Sequence, residues 1–460
     1  MDLREVVRNL MPALRRDLTE LVKIESVNVP STMSEITRAR AAIIDLFREA
    51  GIAQVQELVL EHEGRTTTPL VYADHPGPPG APQVLLYAHY DVQPGGEGWT
   101  VTTPFTPLER DVDGDTRLYG RGAADDKSGV CLHLAAVRAL TALPVHLKLV
   151  FEGEEEVGAG VLEDYLLAHP ADDRFKADLV VVADTGNVRC GEPTLTVSLR
   201  GLVAVDVTVS TLERPVHSGA YGGPAPDAFM ALVQMLATLQ DRAGNVAVAG
   251  LAADSMSWPA VTEPQFRADA GVLPGVSLIG TESIEKRLYG KPSINVVGLD
   301  GVPPMSKATN ALRPKATARI SMRLAPSQDP DTARTLLVNH LRQVAPWGVT
   351  VEITPAGEGF GFSAKTGGAY FTAAQNAIKT AYAADTVAQA GQGGSIPLVH
   401  AFQVVNPQAD IVLWGCEEPR AAIHGPDESV SYRELESMAL TEALLLQRMG
   451  GESDSSEGSR

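Results

Sequence analysis

Val84-Leu85-Leu86-Tyr87-Ala88 runs straight into His89-Tyr90-Asp91. A short β-rich apolar run without alternation reads as a strand buried on both faces. Leu147 to Phe151 and Leu179 to Ala183 have the same character. Each also ends in acid: Glu152 and Glu154-Glu155-Glu156 follow the first, and Asp184 follows the second. Between the first two runs, Val130 to Leu143 has a helical pattern. Strand–helix–strand order implies an α/β sheet, mostly parallel. In open sheets of that kind ligands bind at the carboxyl ends of the strands. His89, the Glu cluster and Asp184 each stand just past such an end.

Outward from this core the chain divides. Leu3, Val6, Leu10, Leu14, Leu18 and Leu21 recur at helical spacing with charges between them, which describes a helix and not a signal peptide. A second helix is predicted from Ser34 to Ala50, with Thr32 and Glu35 spaced as a capping box and Gly51 as its stop. Near residue 200 the character changes. Leu202 to Ser210 and Ala316 to Leu324 alternate, as strands with one wet face do. Helical patterns at Asp227–Gln240 and Asp331–Val344, and strands at Ser293–Leu299 and Val349–Thr354, give a β-α-β-β-α-β order. The stretch Arg242 to Lys291 within it is mostly irregular. After Pro355 helical patterns return at Phe371–Tyr382 and Arg433–Met449. The predicted architecture is therefore α/β: a mostly parallel-sheet domain, residues 1–199 and 357–449, interrupted by a smaller α+β domain, residues 200–356. The Ser/Gly/Glu-rich residues 450–460 are expected to be disordered.

The 460 residues exceed one core's usual size, and an apolar fraction of 44% supports two full cores. A net charge of −19 argues against nucleic-acid binding, which needs clustered Lys and Arg. Three cysteines, Cys131, Cys190 and Cys416, form no disulfide framework and read as free thiols. No uncharged apolar run approaches the roughly 18 residues that span a membrane. A soluble protein of the cytoplasm is expected.

His89, the Asp125-Asp126 pair, the Glu154-Glu155-Glu156 run, Asp184 and His424 mix imidazole with carboxylate, a set suited to zinc-like divalent cations. Five ligands exceed one tetrahedral site and suit two metals sharing a bridge, an arrangement used for hydrolysis. Each piece has a plainer structural reading. His89 and Asp91, read alone, are a satisfied loop pair. Asp125-Asp126-Lys127 opens a helix, where carboxylates cap free N–H groups. The Glu cluster suits a solvated helix start. Two adjacent Asp within Gly120-Arg121-Gly122-Ala123-Ala124 exceed what capping needs, and adjacent glutamates can divide two tasks, base and ligand.

The segments YAHYDVQP, GRGAADDKSG, FEGEEEVG, VVADTG, VHSGAYGG, GGSIP and IHGPDES, in this order from about residue 5 to 448, resemble the di-metal exopeptidase and aminoacylase family. The HYD-Q-P turn, the EGEEE run and GGSIP resemble its carnosinase-type dipeptidases most closely. The resemblance implies that Asp125 bridges two divalent metals, zinc with manganese or cobalt as alternatives. His89 and Asp184 would complete one site, Glu156 and His424 the other. Glu155 would be the general base acting on a metal-bridged water, and Asp91 would orient His89. Arg323, with Ser395 and Gly394, would hold a substrate carboxylate. The inserted domain would be a lid and dimerisation domain, and His217 would stabilise the oxyanion of the partner's site in a homodimer. A cis peptide between Asp125 and Asp126 is also implied. The expected activity is amide hydrolysis in dipeptides or short peptides with a free C-terminal carboxylate. One departure stands out: relatives often carry Arg-Glu before GGSIP, where this chain has Gly391-Gln392.

Rival readings remain. An N-acyl amino acid deacylase would use the same site. A non-catalytic metal-binding scaffold would not need Glu155. A two-metal phosphoesterase would want cationic clamps, for which only Arg323 and Lys127 offer themselves. No membrane or nucleic-acid partner is expected.

Overall fold

A computed structural model describes residues 2–158 and 160–451. The chain forms two compact units: Met1–Val197, Ala364–Ala390 and Leu398–Arg460 make one, and Ser198–Ser363 with Gly391–Pro397 the other.

In the first unit the strand Gln83–His89 lies between two parallel neighbours, His146–Glu152 and Leu179–Val182, and Asp410–Leu413 continues the parallel set. Leu70–His75 flanks His146–Glu152 and Thr194–Leu199 flanks Asp410–Leu413, both antiparallel. The sheet is thus mixed, parallel at its centre. From Val84 to Ala88 and from Leu147 to Phe151 the apolar residues are buried, since helices cover the faces. Helix Lys127–Ala139 packs against Leu3–Val22 and Tyr432–Gly451, and its own run from Val130 to Ala136 is buried on all sides.

The second predicted helix spans Met33–Glu49, and Gly51 takes φ +98° behind it. Its capping box does not form. Thr32 ends a short 3-10 turn, and its hydroxyl donates to Val27 O at 2.5 Å instead of accepting from the helix. The last helix runs through Gly450 and Gly451, where disorder is expected from the sequence; the rest of that expectation, residues 452–460, lies outside the described residues.

The second unit is built on four antiparallel strands, ordered Ser293–Asp300, Lys315–Leu324, Gly201–Ser210 and Thr350–Gly359. Val203, Val205, Val207 and Val209 face a core completed by Ala318, Ile320 and Met322 and by helices Ala228–Leu236 and Pro330–Gln343. The alternation arises because these helices cover one face only. Two short elements inside 242–291 have no clear pattern in the sequence, the helix Glu263–Asp269 and the helical turn Lys286–Gly290.

Candidate active site

The carboxyl ends of the buried strands converge on one acidic centre. His89 is the last residue of its strand, and its Nε2 lies 2.9 Å from Asp125 Oδ1 and 3.6 Å from Asp184 Oδ1. On the far side of Asp125, His424 Nε2 is 3.0 Å from its Oδ2 and 3.3 Å from Glu156 Oε2. Two donor groups therefore share Asp125: His89, Asp125 and Asp184, and Asp125, Glu156 and His424, with the donor atoms of each within 4.8 Å of one another.

Each side chain is held by its own local reason. The Asp125–Asp126 peptide is cis. Asp126 points away from the donor groups: one carboxylate oxygen caps Gly129 N–H and the other accepts from the backbone of His89. The capping reading of this acidic pair thus applies to Asp126, while Asp125 faces the donors. The loop carrying His424 turns through left-handed Ala422, His424 and Asp427. Asp427 fastens it by accepting the N–H groups of Thr100 and Val101 at 2.8 and 2.9 Å.

The glutamate run divides its tasks. Glu152 accepts from the Tyr87 hydroxyl at 2.8 Å. Glu154 caps two backbone amides, Thr68 and Val161. Glu156 accepts from Gln93 Nε2 at 2.7 Å and faces His424. Glu155 alone makes no side-chain hydrogen bond among the described residues. Burial, and then the neighbouring Asp184 and Glu156, push its carboxyl well above the usual range. Asp91 touches His89 less simply than expected. His89 Nδ1 is 3.1 Å from the Asp91 carbonyl oxygen and 3.5 Å from its carboxylate, and that carboxylate also accepts from Glu155 N–H and Glu156 N–H. One residue therefore orients both the imidazole and the glutamates.

The charge balance bears on what the centre can hold. Burial alone would raise Asp125, but the hydrogen bonds of His424 and His89 hold it below its ordinary value. His424 is pushed up to about 10 by Asp125 and Glu156. Glu417, buried beside this cluster, has one carboxylate oxygen with no partner. Lys127 does not offset the acid: its Nζ donates to the Leu21 and Ile24 carbonyls. Carboxylates packed this way repel one another unless cations lie between them. The donor set, one imidazole and two carboxylates per group with a shared Asp125, fits a pair of divalent cations. The same position of Lys127 removes one of the two clamps a phosphoesterase would need.

Sequence reasoning missed three supporting residues. Glu428 accepts from the backbones of Ala124 and Asp125 and from Arg121 at 2.6 Å, bracing the turn below Asp125. Gln93 steadies Glu156, and Glu417 adds charge. Glu428 stands in the IHGPDES segment and Gln93 in the HYD-Q-P turn, so both are visible as motif members without a role.

The remaining expected site residues belong to the second unit. His217 ends a two-residue strand paired with Ala311–Leu312, and its exposed ring accepts from Gly219 N–H at 3.1 Å. Arg323 is half-buried and makes no side-chain hydrogen bond or ion pair among the described residues. Ser395 Oγ lies 3.4 Å from where a Cβ on Gly359 would stand, and a Cβ on Gly394 would meet nothing within 4 Å. The departure at Gly391 has a steric cause. A Cβ there would meet Tyr289 Cβ at 2.7 Å and Trp258 Nε1 at 2.8 Å, so this aromatic pair fills the volume a side chain would need.

Fold and centre together define a metallohydrolase. The chain belongs to peptidase family M20/M25/M40, whose profile matches residues 85–448. It is 36% identical over 457 residues to a cysteinylglycine-S-conjugate dipeptidase of Corynebacterium striatum, covering 96% of this chain and 97% of the relative. It is 29% identical to a β-Ala-His dipeptidase of Rattus norvegicus, covering 86% and 85%. Among solved structures, the dipeptidase Dug1p from Saccharomyces cerevisiae superposes with a TM-score of 0.82 at 22% identity, over 98% of both chains. Human carnosine dipeptidase 1 gives 0.80 at 24%, again over 98% of both. At those identities the structural likeness establishes the fold, a catalytic domain with an inserted one. No described helix is long and apolar enough to cross a membrane.

Proposed function

We propose that this protein hydrolyses the amide bond of dipeptides that carry a free C-terminal carboxylate, using two divalent cations held by His89, Asp125, Glu156, Asp184 and His424. The observation that carries the reading is the pair of donor groups sharing Asp125, beside Glu155, whose side chain makes no hydrogen bond among the described residues. Dipeptidase names among relatives that span nearly the whole chain support the substrate class over N-acyl amino acids. When bound, the cations bring a water's pKa toward about 7 and polarise the amide carbonyl.

Glu155 takes the proton of the attacking water and returns it to the leaving amine. Its carboxylate, with no hydrogen-bond partner among the described residues and beside the donor groups, is placed for that exchange. Asp91 fixes Glu155 through its backbone N–H and His89 through its ring. Arg323, with no side-chain hydrogen bond or ion pair among the described residues, would take the substrate carboxylate in a bidentate grip, with Ser395 and Gly394 beside it. A retained base of this kind is superfluous to a metal-binding scaffold.

Zinc suits the mixed nitrogen and oxygen donors, with manganese or cobalt as substitutes. We further propose a homodimer in which His217 meets the oxyanion of the partner's site. Its exposed ring, in the inserted unit, supports that role. The three cysteines, all unpaired, support a reducing compartment such as the cytoplasm. The test is hydrolysis of Cys-Gly, S-methyl-Cys-Gly, β-Ala-His and N-acetyl amino acids by chelator-stripped protein reloaded with zinc or manganese. Metal-restored cleavage of a dipeptide supports the reading. Cleavage of the N-acetyl compounds alone replaces it with a deacylase.

A further inference from the structure

Arg200 stands at the entrance to the strand Gly201–Ser210 and is almost fully buried, at 5% exposure. Buried arginines ordinarily pair with carboxylates. This one does not. One terminal nitrogen donates to the Leu288 carbonyl, and the other to the Lys291 carbonyl and to Ser293 Oγ at 2.7 Å. Its Nε is buried with no partner. Its backbone N–H donates to the Gln392 carbonyl, in the loop that carries Gly394 and Ser395. Among the described residues no carboxylate neutralises it.

The strand register brings a second guanidinium to the same place. Ser293, which accepts from Arg200, is the cross-strand partner of Arg323, and Leu202, two residues after Arg200, is its partner on the other side. Opposite residues of an antiparallel pair present their side chains on the same face. Met322 and Leu324 point into the core, so Arg323 stands on the face the helices leave open. The two cations feel each other: burial, and then Arg323, push Arg200 down to about 10. Two partly desolvated positive charges side by side are unfavourable unless an anion completes them.

We propose that Arg200 is a positioning residue for the carboxylate end of the substrate, adding a second, non-contacting positive charge behind Arg323 and tying the Gln392–Ser395 loop to the strand end that carries it. The inference rests on Arg323 as the carboxylate contact and deepens that reading. Arg200 donors are committed to the protein, so it acts through its field and its grip on the loop. Its removal therefore weakens recognition of the free carboxylate more than it weakens turnover.

The experiment compares kcat/KM for S-methyl-Cys-Gly and its C-terminal amide, with the zinc-loaded full chain. Arg200→Gln should lower the acid-to-amide ratio on the order of tenfold, the scale of one partly screened charge, chiefly through the KM of the acid. Arg200→Lys should keep most of the ratio. Ser293→Asp is the second route, because its carboxylate can accept the same hydrogen bond while cancelling the charge. It should lower the ratio as Arg200→Gln does, and Ser293→Asn much less. If both Arg200→Gln and Ser293→Asp slow acid and amide equally, Arg200 is purely structural and the inference is overturned. If Arg200→Gln does not fold, Arg200→Met makes the same comparison in its place, because a carboxylate at position 293 also faces Arg323 across the strands. Arg323→Gln separates the two levels. An unchanged ratio in that variant defeats the carboxylate assignment itself, whereas a collapsed ratio there with none at Arg200 or Ser293 defeats only this inference.

Discussion

The acidic centre around Asp125 and the arginine pair on the second unit are electrical opposites. In the first, buried carboxylates outnumber the cations the protein provides, and the nearest lysine is turned onto carbonyl groups. In the second, two guanidiniums lie together with no carboxylate between them among the described residues. Folding alone would favour neither arrangement, because desolvated like charges cost stability. Each makes physical sense as half of an interaction. The first awaits metal cations and the second an anion. The function proposed above would complete both, with an amide polarised at the first and a substrate carboxylate held at the second.

The comparison breaks first at Glu155. Glu155→Gln should lose about 10²–10⁴ in kcat while retaining metal content, the usual scale for losing a general base. Near-full turnover in that variant would mean the unpartnered glutamate is incidental. Glu154 could not simply take over, since both its oxygens cap backbone amides.

On the cationic side, Arg323→Gln should raise KM for a free-acid dipeptide by roughly 10- to 100-fold, the range for a truncated charge-assisted contact. The C-terminal amide should suffer far less. Steady-state kinetics on the two substrates decides it, and equal losses would remove the anion-binding half of the contrast.

The packing beside the cationic site is sharpened by Gly391→Ala. The new methyl group must displace Tyr289 or Trp258, at a cost of about 1–3 kcal/mol for overpacking, read as a lowered thermal midpoint. An unchanged midpoint would show that the aromatic pair yields freely, and the Gly391 departure would need another explanation.

A pH-dependent effect belongs to the acidic side. Burial pushes Glu152 up to about 8 from 4.5. The folded protein therefore binds a proton that the unfolded chain has released, and stability from this group is lost as pH rises from about 4.5 through 8. Glu152→Gln, always neutral, should flatten that fall in denaturant titrations across the window. An unaltered slope would place the carboxyl in its charged form.

Much of the acidic centre was legible because its residues follow unbroken apolar strands, and strand ends meet in a parallel sheet. His89, the glutamate run and Asp184 stand out by that rule, whereas Asp125 stands out as one of two adjacent Asp before a helix, and only the family resemblance chooses it over Asp126. His424 was not legible by position: it sits in a loop after a short turn, and only the likeness of its segment to a family pointed to it. The division of labour among Glu152, Glu154, Glu155 and Glu156 could not be read either, since it depends on which backbone amides and hydroxyls come within reach. Thr32 and Glu35 illustrate the converse. Their spacing suits a capping box, yet the preceding 3-10 turn gives Thr32 a nearer carbonyl. Arg200 was invisible for a different reason. Nothing in Leu199-Arg200-Gly201 distinguishes it, and its relation to Arg323 arises only from strand register 123 residues away.

The claim beneath the whole account is that Asp125 joins two cation sites into one centre. Elemental analysis of purified protein after zinc loading and exhaustive dialysis tests it directly, with His89→Ala as the reference for losing one site. The native chain should carry two equivalents, His89→Ala about one, and Asp125→Ala well under one. Two equivalents in Asp125→Ala, in protein whose fold is intact by circular dichroism, would contradict the shared bridge.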